Sequence, residues 1–218
     1  MVDIKFFFAP GACSLAPHIL LHEAGLDFTP LPVGIQGTKV IFPADYHALN
    51  PKMRVPVIVV DGEIITELPA VCTIISQLSP GSKFMGKTPL ETVRVYEWLN
   101  YISGTLQGTG YGLFFRPWRW TTSEDAEILD GVRQKGREIT IGCFEHIESK
   151  LREDAVVAVG NQMTAVDPFL YAIYRWAKSA GFVLTPYPKY AKLVEAVERR
   201  DSAKLTLERE GILDIAAL

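Results

Sequence analysis

Cys13 is the residue of this sequence best placed for nucleophilic chemistry. It follows a short apolar run, Ile4 to Phe8, and precedes a segment with helical apolar spacing, Leu15 to Ala24, so it stands where a strand ends and a helix begins. The unpaired N–H groups and partial positive charge of a helix start lower the pKa of a nearby thiol and favour the thiolate. A small buried core residue is the alternative interpretation of this cysteine.

The other candidates for chemistry are weaker. Cys72 and Cys143 lie inside predicted amphipathic helices, where a core role is expected. The three cysteines are an odd number without a CxxC pair, which excludes a disulfide framework or a cysteine-rich zinc site. His18 and His22 are four residues apart, a spacing that can hold a metal, but no third ligand accompanies them. We therefore expect no metal cofactor.

Composition narrows the possible partners. The 218 residues carry a formal net charge of -3, from 22 Lys plus Arg against 25 Asp plus Glu, and no strongly basic stretch is present. A nucleic-acid partner is not expected. Every apolar run is interrupted before it reaches the roughly 20 residues that cross a bilayer, so no membrane partner is expected either. The N-terminus lacks the features of a secretory signal, and we expect a cytoplasmic protein with reduced thiols.

The elements around Cys13 follow from the apolar patterns. Phe28 to Val33 is a second predicted strand, and its prolines at 30 and 32 place it at a sheet edge. A strand, helix and strand of these lengths imply a parallel pair with a right-handed crossover. The stretch from Gly34 to Asn50 is irregular.

A hairpin and a helix follow. Asp61-Gly62 separates the apolar runs 55–60 and 63–66, which is typical of a tight antiparallel hairpin. Pro69 opens a helix that runs to Leu78. The order βαβ then ββα predicts an α/β thioredoxin-like domain.

The rest of the chain is predicted to be all helical. The linker candidate Ser79 to Lys87 separates a domain of residues 1–82 from one of residues 88–218. Thr164 to Asp167 fits a capping box, with a structural role for Asp167. Helical periodicity covers five segments of the second domain: 91–106, 124–153, 168–178, 190–199 and 202–210.

Several segments of the chain, taken together, resemble the beta-class glutathione transferases of the cytosolic type. The clearest is Ala9-Pro-Gly-Ala-Cys-Ser-Leu-Ala-Pro-His18, which is similar to the N-terminal signature of that class. The other segments fall in family order along nearly the whole chain: Ala48 to Lys52 with Val55-Pro56, Ile65 to Glu67, Glu97 to Ile102, Phe115 to Pro117, and Met163 to Asp167. The resemblance implies the glutathione S-transferase fold.

The resemblance also implies a glutathione site. The residue that matches Val55, before a cis-proline that matches Pro56, pairs its backbone with the cysteinyl part of glutathione in the family. Glu67 and Leu68 match the residues that bind the γ-glutamyl end, with the Leu68 N–H available to a carboxylate at a helix start. A capping role for Glu67 and edge protection by Pro56 are the structural alternatives.

Some family positions differ in this chain. A His-Lys pair of the family aligns with Gln107 and Gly108, so the usual hydrogen-bond partner of the sulfur is missing. Leu68 replaces a Gly or Ser, and Arg54 replaces a Gln. A lysine that binds the glycyl end has Lys39 as its nearest candidate, and Arg54 is a further candidate cation for that carboxylate.

A hydrophobic co-substrate site completes the expectation. Phe8, Tyr111 and Trp118 are its candidate residues, and an aromatic patch that anchors the helical bundle is the alternative for the last two. Neither Phe7 nor Phe8 has a hydroxyl, so a tyrosine mechanism is not expected, whereas Ser14 could activate bound glutathione if Cys13 does not.

The predicted function is glutathione transfer, by conjugation to a hydrophobic electrophile in detoxification or by thiol–disulfide exchange through Cys13. Thiol transferase or peroxidase side activity fits the same site. Relatives are usually homodimers, and the resemblance implies one here. A non-catalytic binding or regulatory module of the same fold is the main alternative, and a glutathione-dependent dehalogenase or ether-cleaving enzyme is another.

Overall fold

A computed structural model describes residues 2–36, 39–154 and 156–213. Six strands are numbered in chain order: β1 (Ile4–Phe8), β2 (Thr29–Pro32), β3 (Gly34–Gln36), β4 (Lys39–Ile41), β5 (Val57–Val60) and β6 (Glu63–Thr66). Nine α-helices are described: α1 (Leu15–Glu23), α2 (Tyr46–Leu49), α3 (Leu68–Leu78), α4 (Pro89–Tyr101), α5 (Gly112–Phe115), α6 (Ala126–Lys150), α7 (Val166–Ser179), α8 (Pro188–Glu198) and α9 (Asp201–Glu210). A π-helix (Ile102–Tyr111) joins α4 to α5, and a 3-10 helix (Pro117–Arg119) follows α5.

The main sheet has four strands in the order β2-β1-β5-β6. Strand β1 is parallel to β2 and antiparallel to β5, which confirms the predicted parallel pair. Pro30 and Pro32 lie in the edge strand, as their missing N–H groups require. Because side chains alternate along a strand, Phe6 and Phe8 point into the core beneath α1, while Phe7 packs on the opposite face against Tyr46.

The predicted hairpin is confirmed between β5 and β6. Asp61 and Gly62 both have positive φ, 49° and 89°, which is the backbone of the tight turn that best matches the twist of the flanking strands. Helix α3 then begins at Leu68, with Pro69 in its first turn, and packs against α1. The thioredoxin-like order βαβ-ββα is therefore the observed one.

Helices alone make up the described chain beyond α3, as predicted. Helix α1 packs against both α7 and α9, so the sheet region and the helical region share one continuous core. The division into domains 1–82 and 88–218 stays a prediction. No helix in the described ranges has the length and apolar character to cross a membrane.

The predicted return of Asp167 to a free backbone donor before α7 is confirmed, whereas the reciprocal capping bond from the Thr164 hydroxyl to a helix N–H is not formed. The Asp167 carboxylate accepts hydrogen bonds from the backbone N–H of Thr164 (2.7 Å), from the Thr164 hydroxyl (3.2 Å) and from the N–H of Ala158 (2.7 Å). Asp167 is fully buried, and burial raises its pKa to about 6. These three donors stabilise its charged form at neutral pH.

Two regions differ from the sequence expectation. The stretch predicted to be irregular holds the antiparallel pair β3–β4 and the one-turn helix α2. The predicted α-helix 91–106 becomes a π-helix from Ile102 onward. Helix α6 lies close to this region at Gly136, where a Cβ would be 2.5 Å from the Phe114 nitrogen of α5 and 2.8 Å from the Gly110 carbonyl oxygen of the π-helix.

Candidate active site

The turn between β1 and α1 holds the Cys13 backbone in place. The hydroxyl of Ser14 accepts a hydrogen bond from the Ala9 N–H (3.1 Å) and donates one to the Ala9 carbonyl (3.2 Å). Ser14 is fully buried, so its hydroxyl closes the turn and does not face a ligand. This geometry argues against the expectation that Ser14 activates glutathione, because the hydroxyl would first have to leave both bonds.

Side chains from the helical region also form hydrogen bonds to the turn between β1 and α1. The carboxylate of Glu210, at the end of α9, accepts hydrogen bonds from the Gly11 N–H (2.8 Å) and from Nδ1 of His18 (2.7 Å). Nε1 of Trp176 donates to the Gly11 carbonyl (2.7 Å). Neither Glu210 nor Trp176 could be predicted from the sequence, because their partners are more than 160 positions away. The position of Cys13 thus depends on α7 and α9.

The Cys13 sulfur faces the loop before β5. Its thiol donates a long hydrogen bond to the Val55 carbonyl (3.5 Å), and the Val55–Pro56 peptide bond is cis, as expected. Tyr46 and Asn50 anchor this loop by donating to the Arg54 carbonyl, both at 2.8 Å. The structure therefore brings Cys13 and the Val55–Pro56 element together.

The expected low pKa of Cys13 is not found in the structure. The cysteine is only 7 % exposed, and burial raises the pKa of its thiol above the ordinary value. The backbone N–H groups of Cys13 and Ser14 do act in the predicted direction and lower the pKa, but burial is the larger effect. Cys13 is therefore chiefly a neutral thiol at pH 7.

Gln107 stands where the resemblance left the sulfur without its usual hydrogen-bond partner. Its side chain acts on the Cys13 sulfur and is the largest of the effects that lower the thiol pKa. Gln107 is half-buried within the π-helix, whose wider turn sets the direction of its side chains. A position first regarded as a departure from the family therefore lies in the site.

Replacing Gln107 by leucine is expected to raise the pKa of Cys13 further, because the donor that favours the thiolate is removed. Each unit of increase lowers the thiolate fraction at neutral pH roughly tenfold, so the pH profile of Cys13 alkylation by iodoacetamide moves to higher pH. Gln107→His restores a ring N–H donor and is the matched control. An alkylation profile in Gln107→Leu that coincides with the parent profile would exclude the contact.

The predicted γ-glutamyl residues lie at the start of α3. Glu67 has a positive φ of 69° and no side-chain capping bond, so the capping alternative is not supported. Such a strained backbone at a non-glycine residue is typical of functional sites. The exposed Glu67 carboxylate pairs with the ammonium of Lys52, which also contacts Thr66 (2.7 Å). The Leu68 N–H has no partner within its helix because it belongs to the first turn.

The cations near the site come from two regions. Arg54 is exposed on the cis-proline loop, and half-buried Arg116 approaches from the segment after α5. The charge of Arg116 acts on both Arg54 and the Cys13 sulfur, lowering the pKa of the thiol. Lys39 belongs to strand β4, and its side chain lies outside the part of the chain that the structure describes.

Two of the three residues expected to line the hydrophobic site are core residues. Phe8 is buried and packs on Phe6 and His18. Tyr111 is 2 % exposed, and its hydroxyl donates to the Ile173 carbonyl (3.2 Å). Burial of both rings contradicts a role in lining an open site. Trp118 is 56 % exposed and remains available.

The remaining candidates are structural. Cys72 and Cys143 are buried, and burial raises the pKa of both thiols, in agreement with core roles. His18 and His22 stack on one another beside Phe28, their ring centroids 5.1 Å apart. Among the described residues, no group of three or more His, Cys, Asp or Glu is arranged to hold a metal ion.

Comparison with known proteins agrees with this geometry. Residues 11–78, which include Cys13, Val55 and Glu67, match the family model of the glutathione S-transferase N-terminal domain. The glutathione S-transferase GstA of Escherichia coli O157:H7 is 29% identical over 213 residues, covering 96% of this chain and 100% of that protein.

Solved structures are similar over almost the whole chain. The beta-class glutathione S-transferase of Sphingomonas chungbukensis has a TM-score of 0.82 and 26% identity, covering 96% of this chain and 100% of its own. A sphingomonad glutathione S-transferase complexed with glutathione has a TM-score of 0.80 and 26% identity, and the match covers 95% of this chain and 99% of that one. The fold, the match over residues 11–78 and the relatives all support a glutathione transferase enzyme of the cytosolic type.

Proposed function

We propose that this enzyme conjugates glutathione to an electrophile, with the neutral Cys13 thiol donating a hydrogen bond to the glutathione thiolate. The observation that carries the proposal is the contact of the Cys13 sulfur with the Val55 carbonyl at 3.5 Å. A peptide that pairs with the Val55 backbone in extended form delivers its own sulfur to this point. Cys13 then lies beside the reacting atom.

The surrounding residues suit the ends of glutathione. The strained Glu67 offers a carboxylate to the γ-glutamyl ammonium, and Leu68 offers a helix-start N–H to the γ-glutamyl carboxylate. Arg54, exposed on the loop before the cis-proline, offers a cation to the glycyl carboxylate. Lys39 remains a second proposed cation for that end.

Because its pKa is raised, Cys13 can act as a hydrogen-bond donor in the proposed reaction. A thiol that keeps its proton at pH 7 can donate, and a donor beside a bound thiol favours the charged form of that thiol. A hydrogen bond to a charged group contributes about 1.5–3 kcal/mol, which corresponds to roughly 10–100-fold in rate. The thiol proton of glutathione leaves to solvent before its sulfur attacks.

Thiol–disulfide exchange is the second candidate. The Gln107 side chain, the N–H groups of Cys13 and Ser14, and Arg116 all favour the Cys13 thiolate, and each opposes the effect of burial. In exchange, the Cys13 thiolate attacks the glutathione sulfur of a mixed disulfide between glutathione and another thiol, a sulfur–sulfur bond to Cys13 forms, and the other thiolate leaves. A second glutathione thiolate then attacks the Cys13–glutathione disulfide, which releases oxidised glutathione and regenerates the Cys13 thiolate.

Two Cys13 variants separate these candidates. Cys13→Ser keeps a donor but cannot form a disulfide, whereas Cys13→Ala has neither property. We expect conjugation of chlorodinitrobenzene to fall roughly 10–100-fold in Cys13→Ala and to be largely kept in Cys13→Ser. Mass spectrometry of each protein after incubation with oxidised glutathione measures the adduct.

The two readouts have distinct meanings. Equal conjugation by the parent and Cys13→Ala would remove Cys13 from the reaction, and an adduct on Cys72 or Cys143 would remove it from the exchange site. Failure of the parent protein to bind immobilised glutathione would exclude the proposal as a whole. Loss of conjugation in both variants would favour a covalent role of the sulfur.

We also propose that the enzyme acts as a cytoplasmic homodimer. Leu90 and Val93 on α4, and Ile64 on β6, are exposed apolar side chains of the kind that subunit interfaces cover. Sedimentation velocity measures this property, and a stable monomer would contradict it.

A further inference from the structure

The segment Phe115–Trp120 presents an exposed aromatic surface beside the active-site turn. Trp118 is 56 % exposed, Trp120 is 50 % exposed and Phe115 is 43 % exposed, although aromatic side chains of this size usually bury most of their area. The ring of Phe115 lies 6.4 Å from that of Trp176, which donates to the Gly11 carbonyl. The aromatic surface therefore begins one side chain away from the turn of Cys13.

Cations are interleaved with these rings. Arg116 and Arg119 belong to the same segment, and Arg54 faces Arg116 from the cis-proline loop. Burial is the largest effect that lowers the pKa of Arg116, and the like charges of Arg119 and Arg54 lower it further, so Arg116 is repelled by both. Of the three guanidinium groups, half-buried Arg116 is the one whose charge acts on the Cys13 sulfur.

No carboxylate relieves this repulsion in the part of the chain that is described. None of the three guanidinium groups has an acid within ion-pair distance there, whereas four other arginines of the protein do: Arg94, Arg133, Arg199 and Arg200. An unpaired cluster of this kind beside a reactive sulfur is suited to bind an anion. The glycyl carboxylate of glutathione accounts for Arg54, which leaves Arg116 and Arg119 on the aromatic side.

We propose that the co-substrate is an aromatic electrophile that carries a negative charge. Its ring stacks on the exposed tryptophans, and its carboxylate or other anionic group is bound by Arg116 and Arg119. The inference rests on the proposed conjugation at Cys13 and adds the substrate class. In a chloroaromatic substrate, the glutathione sulfur bonds to the ring carbon, chloride leaves with the bonding electrons, and the thiol proton goes to solvent.

A matched pair of substrates tests the charge. A para-chloro dinitrobenzoate and its benzamide share the ring and the leaving group but differ in charge, and each enzymatic kcat/KM is divided by the uncatalysed rate with glutathione. We expect the normalised value for the benzoate to be roughly 10–100-fold higher, as a charge-assisted contact predicts. The advantage should shrink as salt is added, because exposed charges are screened.

Variants test whether Arg116 and Arg119 are the source of the preference for the benzoate. The double variant Arg116→Gln with Arg119→Gln is expected to lower the benzoate-to-benzamide ratio at least tenfold, while Arg133→Gln, an exposed arginine on α6, leaves the ratio as it is. Quenching of tryptophan fluorescence by dinitrobenzoate, which lacks a leaving group, measures binding without turnover. It should weaken in the double variant.

The outcomes are separable. Turnover of the benzamide with no preference for the benzoate would overturn the inference and leave the proposed function standing. A preference that survives in the double variant would also overturn it, because the arginines would not be its source. Turnover of neither substrate would overturn the proposed function, and the inference with it.

Discussion

Replacing Glu210 by alanine is expected to lower the free energy of unfolding by about 4 kcal/mol, because breaking a buried polar pair leaves its partners without an acceptor. The Gly11 N–H and Nδ1 of His18 both donate to this carboxylate, and both residues are buried. For a chain of this length the change corresponds to a fall in Tm of roughly 8–16 °C. Chemical denaturation and calorimetry measure it.

Two variants define the cause. Glu210→Gln keeps the shape and an acceptor oxygen, so a smaller loss is expected. Glu208→Ala removes an exposed carboxylate from the same helix and should change stability by less than about 0.5 kcal/mol. If the Glu210→Ala variant were as stable as the Glu208→Ala variant, the hydrogen bonds of Glu210 to Gly11 and His18 would not contribute to the free energy of unfolding.

Replacing Asp167 by alanine is expected to lower the free energy of unfolding by about 3–5 kcal/mol, since three donors lose their acceptor inside the protein. Asp125 is the matched control, because it caps α6 at the surface by accepting from Glu127 N–H (2.8 Å) and Ile128 N–H (3.3 Å). Asp125→Ala should lose only about 1 kcal/mol, as exposed N-caps do.

Denaturant unfolding of both alanine variants at pH 7 measures this difference. Asp167→Asn retains one acceptor oxygen but places an amide nitrogen against a donor, so its stability should fall between the parent and Asp167→Ala. Equal losses in Asp167→Ala and Asp125→Ala would show that the buried network adds nothing to an ordinary cap.

The sequence was most informative where a local rule decides the structure. The apolar run of β1, the Asp61-Gly62 turn and the Pro69 helix start each depend on a few neighbouring residues, and each is found as predicted. Strands β3 and β4 were missed because three residues are too few for a period to be visible. The π-helix was missed because its apolar spacing resembles that of an α-helix.

The candidate site was less predictable, because it depends on contacts between residues far apart in the sequence, and the spacing of residues along the chain does not reveal such contacts. Phe8 was assigned to an open site although β1 alternation with buried Phe6 places both rings in the core. The backbone N–H groups at the start of α1 lower the pKa of the Cys13 thiol, as predicted, but burial raises that pKa by more. Nothing near Glu210 in the sequence indicates its role, since a glutamate in the last helix is expected to lie at the surface.

The contact between Gly11 and Glu210 also orders events during protein synthesis. The two residues are 199 positions apart, so the turn around Cys13 leaves the ribosome long before its acceptor carboxylate has been made. At ordinary elongation rates the interval is roughly 10–40 s. During that time the sheet and the local Ser14–Ala9 bonds of the turn can form, but the bond from Gly11 to Glu210 cannot, and Cys13 gains its complete setting only after α9 has been made.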